Sequence, residues 1–445
     1  MVPFSQRAEY WDVEESQGSG TSIRLRNGEV VESKNGESVS FKIRAFDRGA
    51  WAYSSTSEEK AVRALVEKTC ENALKLSRLV KKKYSLGDFS RGKSGYKTPA
   101  KKNPADVELS RKLAKVREIL SGAEGVANTE AGYSDSEGEI RLRTSEGLEI
   151  SQKLASCGFA LSCIAKEGDL VQRIFRSERK TAGFEVVDAL DASFAEDCAR
   201  RAKALLSAGT PPSGKMTILM DPLLVGTFVH EAVGHMAEAD NVANDDSILK
   251  GKVGRRIGSG LVTIVDDKTT PGGYGTRGFD RDGAKSERTV LIENGLLRNY
   301  IQSRNSAGKL LLARGKSTGN CWGAFNNVRM SNTFALPGKA SFGEILKETK
   351  EGVYLIGSSG GTAQTADGTF NFSAMEGFLV RNGELGKRVR DVCLLGKTLE
   401  TLASIDFVGD GFELESGHCG KGGEWVPVGS GGPVFRARAV VGGRN

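Results

Sequence analysis

The sequence predicts an α+β protein in two parts, and two observations carry most of that prediction. Glycine is abundant, with 56 among 445 residues. Many glycines follow Asn or Asp in pairs that favour tight hairpin turns, such as Asn27-Gly28, Asn294-Gly295 and Asp367-Gly368. Alternating apolar residues typical of short strands flank these pairs, whereas few segments show helical spacing. We therefore expect an N-terminal α/β domain followed by a mostly antiparallel β domain that carries one buried helix.

The N-terminal domain is predicted to span residues 1–212 and to contain a repeated unit of a β-hairpin plus a helix. Two segments about 117 residues apart read as a strand, a tight turn and a return strand, namely Ile23–Ser33 and Ile140–Ser151. Each is followed by a further strand-like stretch and then by a helical pattern, Glu58–Val80 in the first copy and Ala195–Ala208 in the second. This succession indicates an internal duplication.

The segment between the two copies is the most basic stretch of the chain. It begins at Lys81–Lys83, ends near Lys101 and Lys102, and contains glycine, serine and few aromatic residues. The whole chain has a net charge of +7, but its 63 basic and 56 acidic residues are mostly interleaved. A solvated linker at about 81–104 is therefore a better interpretation than a nucleic-acid contact, and we expect no nucleic-acid partner.

Cysteine usage and the N-terminus bear on the cellular compartment. The seven cysteines are odd in number and include no C-x-x-C pair, which favours a reducing compartment over a disulfide framework. The N-terminus is too polar for a signal peptide, and no apolar run approaches a membrane span. We expect a cytoplasmic protein. The cysteines are Cys70, Cys157, Cys163, Cys198, Cys321, Cys393 and Cys419.

The C-terminal domain is predicted to span residues 213–445, after a break rich in proline and glycine. Met216–Met220 reads as a buried strand, and Asp221 as the cap of a helix that continues over Leu223–Ala239. The apolar residues of this helix predict that it is largely buried. The rest of the domain alternates strand and turn, except for a short helix at Ser341–Lys350.

Two of the three histidines in the chain lie on that buried helix, with a glutamate between them. His230 and His235 offer imidazole ligands, and Glu231 offers a carboxylate that can take a proton from an attacking water and return it to a leaving amine. In a regular α-helix, however, residues five apart diverge by about 140° around the axis. Because Gly234 weakens the helix, we expect a local distortion at Ala232–His235 that brings the two histidines to the same side.

A catalytic zinc site usually has three protein ligands, so a further ligand is needed. Cys419 is the best candidate because thiolates bind zinc well and because Ser416–Gly423 reads as a glycine-flanked turn. His418 is an alternative ligand, and Glu238 or Asp240 could ligate the metal or orient the histidines. Two histidines on an apolar helix are also compatible with hydrogen-bonded core residues and no metal.

The segment Phe228–His235, with Glu238 and Asp240 after it, resembles the signature of the TldD subunit in the TldD/PmbA (TldE) family of metalloproteases. The resemblance covers the chain closely from about residue 215 to the end and the earlier part in general pattern. The further matching segments are Arg288–Gly295, Arg329–Thr333, Leu336–Lys339, Gly360–Gly361, Cys419–Lys421, Val426–Gly429 and Gly432–Pro433.

The resemblance implies a zinc peptidase in which His230, His235 and Cys419 bind the metal and Glu231 is the catalytic acid/base. It implies an N-terminal α/β domain and a β-rich C-terminal domain. It also implies a dimer, either with itself or with a metal-free PmbA/TldE-like subunit. His418 matches no ligand of the family.

We therefore expect a zinc-dependent metallopeptidase that hydrolyses unfolded or extended peptides in an enclosed site. The alternative is a metal-containing binding or regulatory subunit without peptidase activity, for which a structural site would need four protein ligands. A zinc amidase acting on a non-peptide substrate uses the same chemistry and is also compatible with the sequence.

Overall fold

The first half of the chain forms one seven-stranded sheet in the computed structural model, which describes residues 8–87, 91–310 and 327–443. The strands are β1 (Tyr10–Arg26), β2 (Glu29–Asp47), β3 (Ala50–Thr56), β4 (Gly92–Lys97), β5 (Asn128–Thr144), β6 (Leu148–Glu167) and β7 (Leu170–Lys180). They lie in the order β3-β2-β1-β5-β6-β4, and β7 pairs with the C-terminal half of β6, from Cys157 to Glu167. Because β1 pairs antiparallel with β5, the two predicted copies share a single sheet.

The predicted succession of a hairpin, a third strand and a helix occurs twice. The helices of this part are α1 (Val62–Ser77), α2 (Leu109–Leu120), α3 (Glu185–Asp188) and α4 (Ala192–Leu206). The first follows β3, and the last follows β7 after the short α3, so both are where the apolar spacing indicated. The sequence did not predict α2, because buried Lys112 and Lys115 interrupt its apolar stripe.

The basic segment that we interpreted as a linker at about 81–104 is partly built into the sheet. Within it, β4 pairs in parallel with β6, from Gly92 opposite Leu148 to Lys97 opposite Lys153. Most side chains of β4 are exposed, as expected for an edge strand. Because these residues are mostly polar or glycine, the sequence shows no apolar alternation that would have predicted a strand. Residues 88–90 of the predicted linker lie outside the described residues.

The second half of the described chain forms a six-stranded and a seven-stranded sheet. Its strands are β8 (Gly214–Met220), β9 (Ile264–Asp267), β10 (Arg288–Glu293), β11 (Leu296–Leu297), β12 (Asn332–Ala335), β13 (Glu351–Ala363), β14 (Thr369–Arg381), β15 (Glu384–Val389), β16 (Val392–Lys397), β17 (Phe407–Val408), β18 (Glu413–Lys421), β19 (Glu424–Gly432) and β20 (Phe435–Gly443). The six-stranded order is β11-β10-β9-β12-β19-β18. In the other sheet, β13-β8-β20-β16-β14 closes on itself because β13 also pairs with β14.

These pairings are antiparallel except for β12 with β19 and β13 with β8, so the predicted α+β class and the mostly antiparallel second part are confirmed. The helices are α5 (Pro222–Val229), α6 (His235–Ala237), α7 (Ala239–Ala243), α8 (Arg304–Leu310), α9 (Phe342–Lys347) and α10 (Thr398–Ser404). The predicted cap at Asp221 is present, since its Oδ1 accepts a hydrogen bond from the Leu224 amide at 2.8 Å. The predicted short helix at Ser341–Lys350 is α9, which Ser341 caps.

Helix α5 lies between the two sheets of the second half. On one side, a Cβ built on Gly226 would lie 2.7 Å from the Gly431 amide nitrogen, so the helix touches the backbone of β19 directly. On the other side, the Phe228 ring meets the edges or faces of Phe370 and Phe372 in β14, at centroid distances of 5.5 and 6.5 Å. Contacts on both sides leave α5 a single orientation, and they fix the direction of the residues that follow it.

A buried ion network joins the first sheet to the loop between β9 and β10. Arg44 Nη2 lies 2.7 Å from Asp12 Oδ2 and 3.1 Å from Asp282 Oδ1, and Arg281 Nη2 lies 2.7 Å from Asp12 Oδ1. Burial raises the pKa of Asp12, but Arg281 and Arg44 outweigh it and hold this pKa below its usual range. Removing one partner of such a network leaves an uncompensated buried charge, so the network holds this loop firmly against the sheet.

Two further predictions concern cysteines and membranes. Six cysteines lie in the described part of the chain, and all six are free thiols there. Cys321 lies outside the described residues. In the described ranges, no helix has both the length and the apolar composition needed to cross a bilayer.

Candidate metal centre

The helix that carries the two histidines changes its winding at His230. Regular α5 ends at Val229, and residues His230–Gly234 form a π-helical turn before α6 begins at His235. The His235 amide donates to the His230 carbonyl oxygen, which is a bond between residues five apart. This wider turn places residues five apart one above the other. The predicted distortion is therefore confirmed, and the two imidazole rings lie 5.2 Å apart between centroids.

Gly234 contributes to this turn in a way that its backbone freedom does not explain. Its φ of −58° is ordinary for a helix, so the position requires no special backbone conformation. A Cβ built there would instead lie 1.8 Å from the Met330 sulfur, which occupies the space of the missing side chain. Gly234 therefore lets Met330, just before β12, pack directly against the π-turn.

We expect Gly234→Ala to destabilise the protein by about 1–3 kcal/mol, because the new methyl group overlaps Met330 and the core must shift. Urea unfolding measures the loss. The matched control is Gly343→Ala in α9, where a built Cβ meets nothing within 4 Å. Alanine there should be neutral or stabilising by about 0.5–1 kcal/mol. Equal effects at the two glycines would show that helix propensity, not contact with Met330, governs Gly234.

Cys419 comes to the histidines from the six-stranded sheet. Its Sγ lies 3.4 Å from His235 Nε2, and one ligand atom each from His230, His235 and Cys419 fall within 4.8 Å of one another. Cys419 lies in β18 and not in a turn as we expected, because the strand continues to Lys421 and the turn is confined to Gly422 and Gly423. The alternation of the strand directs Cys419 inward toward α5.

The three side chains fit a tetrahedral metal ion. Zinc at about 2.0–2.3 Å from nitrogen and sulfur ligands places these atoms roughly 3.3–3.7 Å apart, close to the distance found between Sγ and Nε2. His230 is 6% exposed, and its Nδ1 is buried without a hydrogen-bond partner among the described residues. Burial raises the pKa of Cys419, but hydrogen bonds and charge from His230 and His235 lower it to about 5. A thiolate, the form that binds metal, is therefore favoured at neutral pH.

Glu231 lies beside this cluster, and its carboxylate is partly exposed to solvent. Its Oε2 is 3.9 Å from His235 Nε2, and its side chain is 30% exposed. It lines a cavity of about 510 Å³ together with His235, Cys419 and residues of the β18–β19 hairpin, among them Lys421 and Trp425. The carboxylate can therefore reach a molecule that enters the cavity.

Glu238 lies behind His235 and not among the ligand atoms. Its Oε2 is 2.9 Å from His235 Nδ1, which leaves Nε2 pointing toward Cys419. Burial raises the pKa of Glu238, but the positive charges of His235 and Lys421 lower it to about 2. Asp240 lies further back and accepts hydrogen bonds from Lys421 and from the Val328 amide. Of the two roles left open, the geometry supports orientation of the histidine for Glu238, whereas Asp240 contacts Lys421 and not His235.

His418 points away from the cluster. It is exposed, on the face of β18 opposite to Cys419, and its Nε2 lies 3.1 Å from the hydroxyl of Tyr274. This placement agrees with the expectation that His418 is not a ligand.

Sequence reasoning missed two basic residues beside Cys419. Lys421 follows it by two positions and contacts Glu238 and Asp240. Arg329 is fully buried and donates from Nη2 to the Cys419 carbonyl oxygen at 2.5 Å. The alternation of the strand was a signal for Lys421, since i and i+2 share a face. Arg329 begins a segment that carries the family resemblance, but nothing in that segment pointed to its contact with Cys419.

Comparison with known families covers almost the whole chain. The models for PmbA/TldA metallopeptidase domain 1, the central domain and the C-terminal domain match residues 11–73, 102–206 and 213–442. The chain belongs to the PmbA/TldD metallopeptidase family. The predicted resemblance to this family is thereby confirmed. The domain boundary that we placed near residue 212 stays a prediction.

Two curated relatives are similar over almost their full length, and a third over about two thirds of it. A metalloprotease of Methanothermobacter thermautotrophicus is 37% identical over 100% of this chain and 97% of its own. A metalloprotease of Methanocaldococcus jannaschii is 36% identical over 97% of each chain. A zinc metalloprotease TldD homolog of Saccharolobus solfataricus is 31% identical over 67% of this chain and 68% of its own. The protein is thus a metalloprotease of the TldD type.

Two solved structures share the fold of this chain. A Thermotoga maritima protein suggested to be a modulator of a DNA gyrase superposes with a TM-score of 0.79 at 23% identity, covering 97% of this chain and 96% of its own. TldE from Thermococcus kodakarensis superposes with a TM-score of 0.75 at 18% identity, covering 98% of this chain and 97% of its own.

Proposed function

We propose that the protein is a zinc-dependent metallopeptidase that hydrolyses unfolded or extended peptides in an enclosed site. The observation that carries the proposal is the convergence of His230, His235 and Cys419 beside Glu231 on one cavity. Two imidazoles and one thiolate form a ligand set that suits zinc and keeps one position open for chemistry. The relative from Saccharolobus solfataricus, which is named a zinc metalloprotease, supports the choice of metal.

When bound, the zinc ion would polarise the scissile carbonyl and lower the pKa of an attacking water. Glu231 would take the proton from that water on its solvent-facing carboxylate and deliver it to the leaving amine. Glu238 would keep His235 in the orientation that presents Nε2 to the ligand cluster. Arg329 would hold the backbone of Cys419 in place through its carbonyl oxygen.

The position of the cluster supports extended peptides as substrates. Cys419 and His230 are 5% and 6% exposed, so the surface of a folded protein would not reach them. Among the described strands, β18 pairs only with β19, which leaves the other edge of β18 without a partner strand. At Ser416 this edge accepts one side-chain hydrogen bond, 3.4 Å long, from Ser177 Oγ of β7 to the Ser416 carbonyl oxygen. Beyond the contact at Ser416, an extended peptide could add to this edge by main-chain hydrogen bonds, which tolerate many sequences.

The same proposal includes a partner and a compartment. We propose a dimer, with itself or with a metal-free PmbA/TldE-like subunit, because the resemblance of the sequence to the family implies one. Light scattering on the chain alone distinguishes a homodimer from a subunit that needs a partner. The free thiols of the six described cysteines support the cytoplasm.

Removal and return of zinc tests the proposal. We expect the purified protein to cleave a fluorogenic peptide of about ten residues, to lose this activity on treatment with a chelator, and to regain it with Zn²⁺ but not Mg²⁺, which avoids thiolate ligands. The same peptide sequence placed inside a stably folded domain should resist cleavage until that domain is unfolded. Full activity after verified loss of metal would refute the metal's role, and equal cleavage of the folded form would refute the substrate class.

A further inference from the structure

Lys421 makes an unusually complete set of contacts for a lysine at the edge of a cavity. Its Nζ lies 2.8 Å from Glu238 Oε2, 2.8 and 2.9 Å from the two carboxylate oxygens of Asp240, and 3.3 Å from the Val328 carbonyl oxygen. The side chain is only 18% exposed. An ammonium donates three protons, so these oxygens use its full capacity and hold it in one position.

The contact with Glu238 connects Lys421 to a candidate metal ligand. Glu238 Oε2 is shared between Lys421 Nζ and His235 Nδ1, at 2.8 and 2.9 Å. Glu238 is fully buried, and its Oε1 has no hydrogen-bond partner among the described residues. The position of this carboxylate therefore depends mainly on these two short contacts of Oε2, since the only other one, from Asn241 Nδ2, is at 3.5 Å. Without Lys421, one of the two would be lost and a buried anion would lack its nearest cation.

Lys421 also belongs to the strand that supplies another candidate ligand. It lies two residues beyond Cys419 on the same face of β18, about 6.6 Å along the strand. Cys419 and Lys421 are joined by the backbone of β18. The Lys421 ammonium contacts Glu238, and Glu238 contacts His235. His235 Nε2 then returns to Cys419 Sγ at 3.4 Å. These contacts form a closed ring, which fixes the separation of the two candidate ligands His235 and Cys419.

Asp240 connects this ring of contacts to the segment around Val328, which packs against the π-turn. Its Oδ2 accepts a hydrogen bond from the Val328 amide at 3.0 Å, and Lys421 donates to the carbonyl of the same residue. Two residues later, Met330 packs against Gly234. The lysine therefore links β18, the segment at residue 328 and the helix that carries both histidines.

We propose that Lys421 is a positioning residue of the metal centre, which raises metal affinity by fixing the separation of His235 and Cys419. This inference rests on the proposed function, because it takes both residues as zinc ligands. Lys421 touches neither ligand atom and acts through Glu238 and through its own strand.

The test compares Lys421→Met with a matched control elsewhere in the chain. Lys112 is also a buried lysine paired with a buried carboxylate, with Nζ 2.7 Å from Asp135 Oδ2 and both side chains 4% exposed. Lys112→Met removes the same chemistry from the first sheet. Zinc affinity is measured by competition with a chromophoric chelator, and the geometry of the site by the thiolate-to-cobalt absorption band of the Co²⁺-loaded protein.

We expect Lys421→Met to weaken zinc binding by about 10–100-fold, the range found when partners behind metal ligands are removed, and to shift the cobalt band. Lys112→Met should leave both unchanged even if it lowers resistance to urea. Lys421→Arg keeps the charge and should lose less affinity than Lys421→Met. Asp240→Asn weakens one contact of Lys421 without touching His235, so it should cause a smaller loss of zinc affinity. It serves as the test variant if Lys421→Met does not fold.

Wild-type affinity in Lys421→Met, or an equal loss in Lys112→Met, would overturn the inference. If Lys421→Met does not fold, wild-type affinity in Asp240→Asn would overturn it. The proposed function is tested separately by the unsubstituted protein. If that protein binds zinc through His230, His235 and Cys419 but cleaves no peptide, the proposed function fails while the role of Lys421 stands on affinity alone. If it binds no zinc there, both are refuted.

Discussion

Replacing Glu231 by glutamine is expected to leave zinc bound and to lower kcat for peptide hydrolysis by about 10²–10⁴-fold, the contribution typical of general acid–base catalysis. Glutamine keeps the size of the side chain but has no basic oxygen to accept a proton from water. Zinc content should persist, because Glu231 is not one of the three clustered candidate ligands. Steady-state kinetics on a fluorogenic peptide, together with metal analysis of the same sample, measures both quantities.

Glu130→Gln is the control for this substitution. Glu130 is a half-exposed carboxylate in β5 that pairs with Arg26, so its loss should change neither zinc content nor kcat. A Glu231→Gln protein that kept its full rate would contradict the role of Glu231 as acid/base. A protein that lost its zinc as well would show instead that this carboxylate is a ligand.

Replacing Cys419 by alanine is expected to remove most of the bound zinc and, with it, peptide hydrolysis. Two imidazoles would remain, and the loss of affinity should exceed the roughly 10–100-fold caused by changes behind the ligands. The fold should survive, since the Sγ atom contributes to the large C-terminal core as only one of many buried groups. Elemental analysis after gel filtration and chelator competition measure the effect.

Cys393→Ala provides the matched control, because Cys393 is a free, half-buried cysteine in β16 and lies outside the ligand cluster. It should bind zinc as the unsubstituted protein does. If Cys419→Ala also retained zinc at full affinity, the third ligand would have to be sought among the other groups that line the cavity.

Much of the site was accessible from the sequence, because its strongest signal is local. The five-residue spacing of His230 and His235 is incompatible with a regular helix that serves one ion, and this conflict, together with Gly234, predicted the distortion. The cause of the distortion was less accessible. Gly234 suggested backbone freedom, whereas the structure shows contact with Met330, about a hundred residues away in the chain. Contacts between such distant segments leave no trace in local spacing.

The fold shows the same division between local and distant information. Hairpins such as β1–β2 were readable from their turns and alternation. The pairing of β1 with β5 and the closure of β13 onto β14 were not, because they depend on the tertiary arrangement. Cys419 was singled out from the sequence but expected in a turn, because the glycines at 417, 420, 422 and 423 are typical of turns and not of the edge strand found there.

The π-turn has a consequence for how this centre is recognised in other chains. Compared with a zinc helix whose histidines are four positions apart, the segment contains one inserted residue, and the extra residue is absorbed within a single turn of backbone. The two imidazoles meet in space as they would on the shorter helix, while the number of residues between them differs. A motif search fixed on the four-position spacing would pass over this protein, and an alignment that forced the two patterns together would misplace Glu231 or His235 by one position.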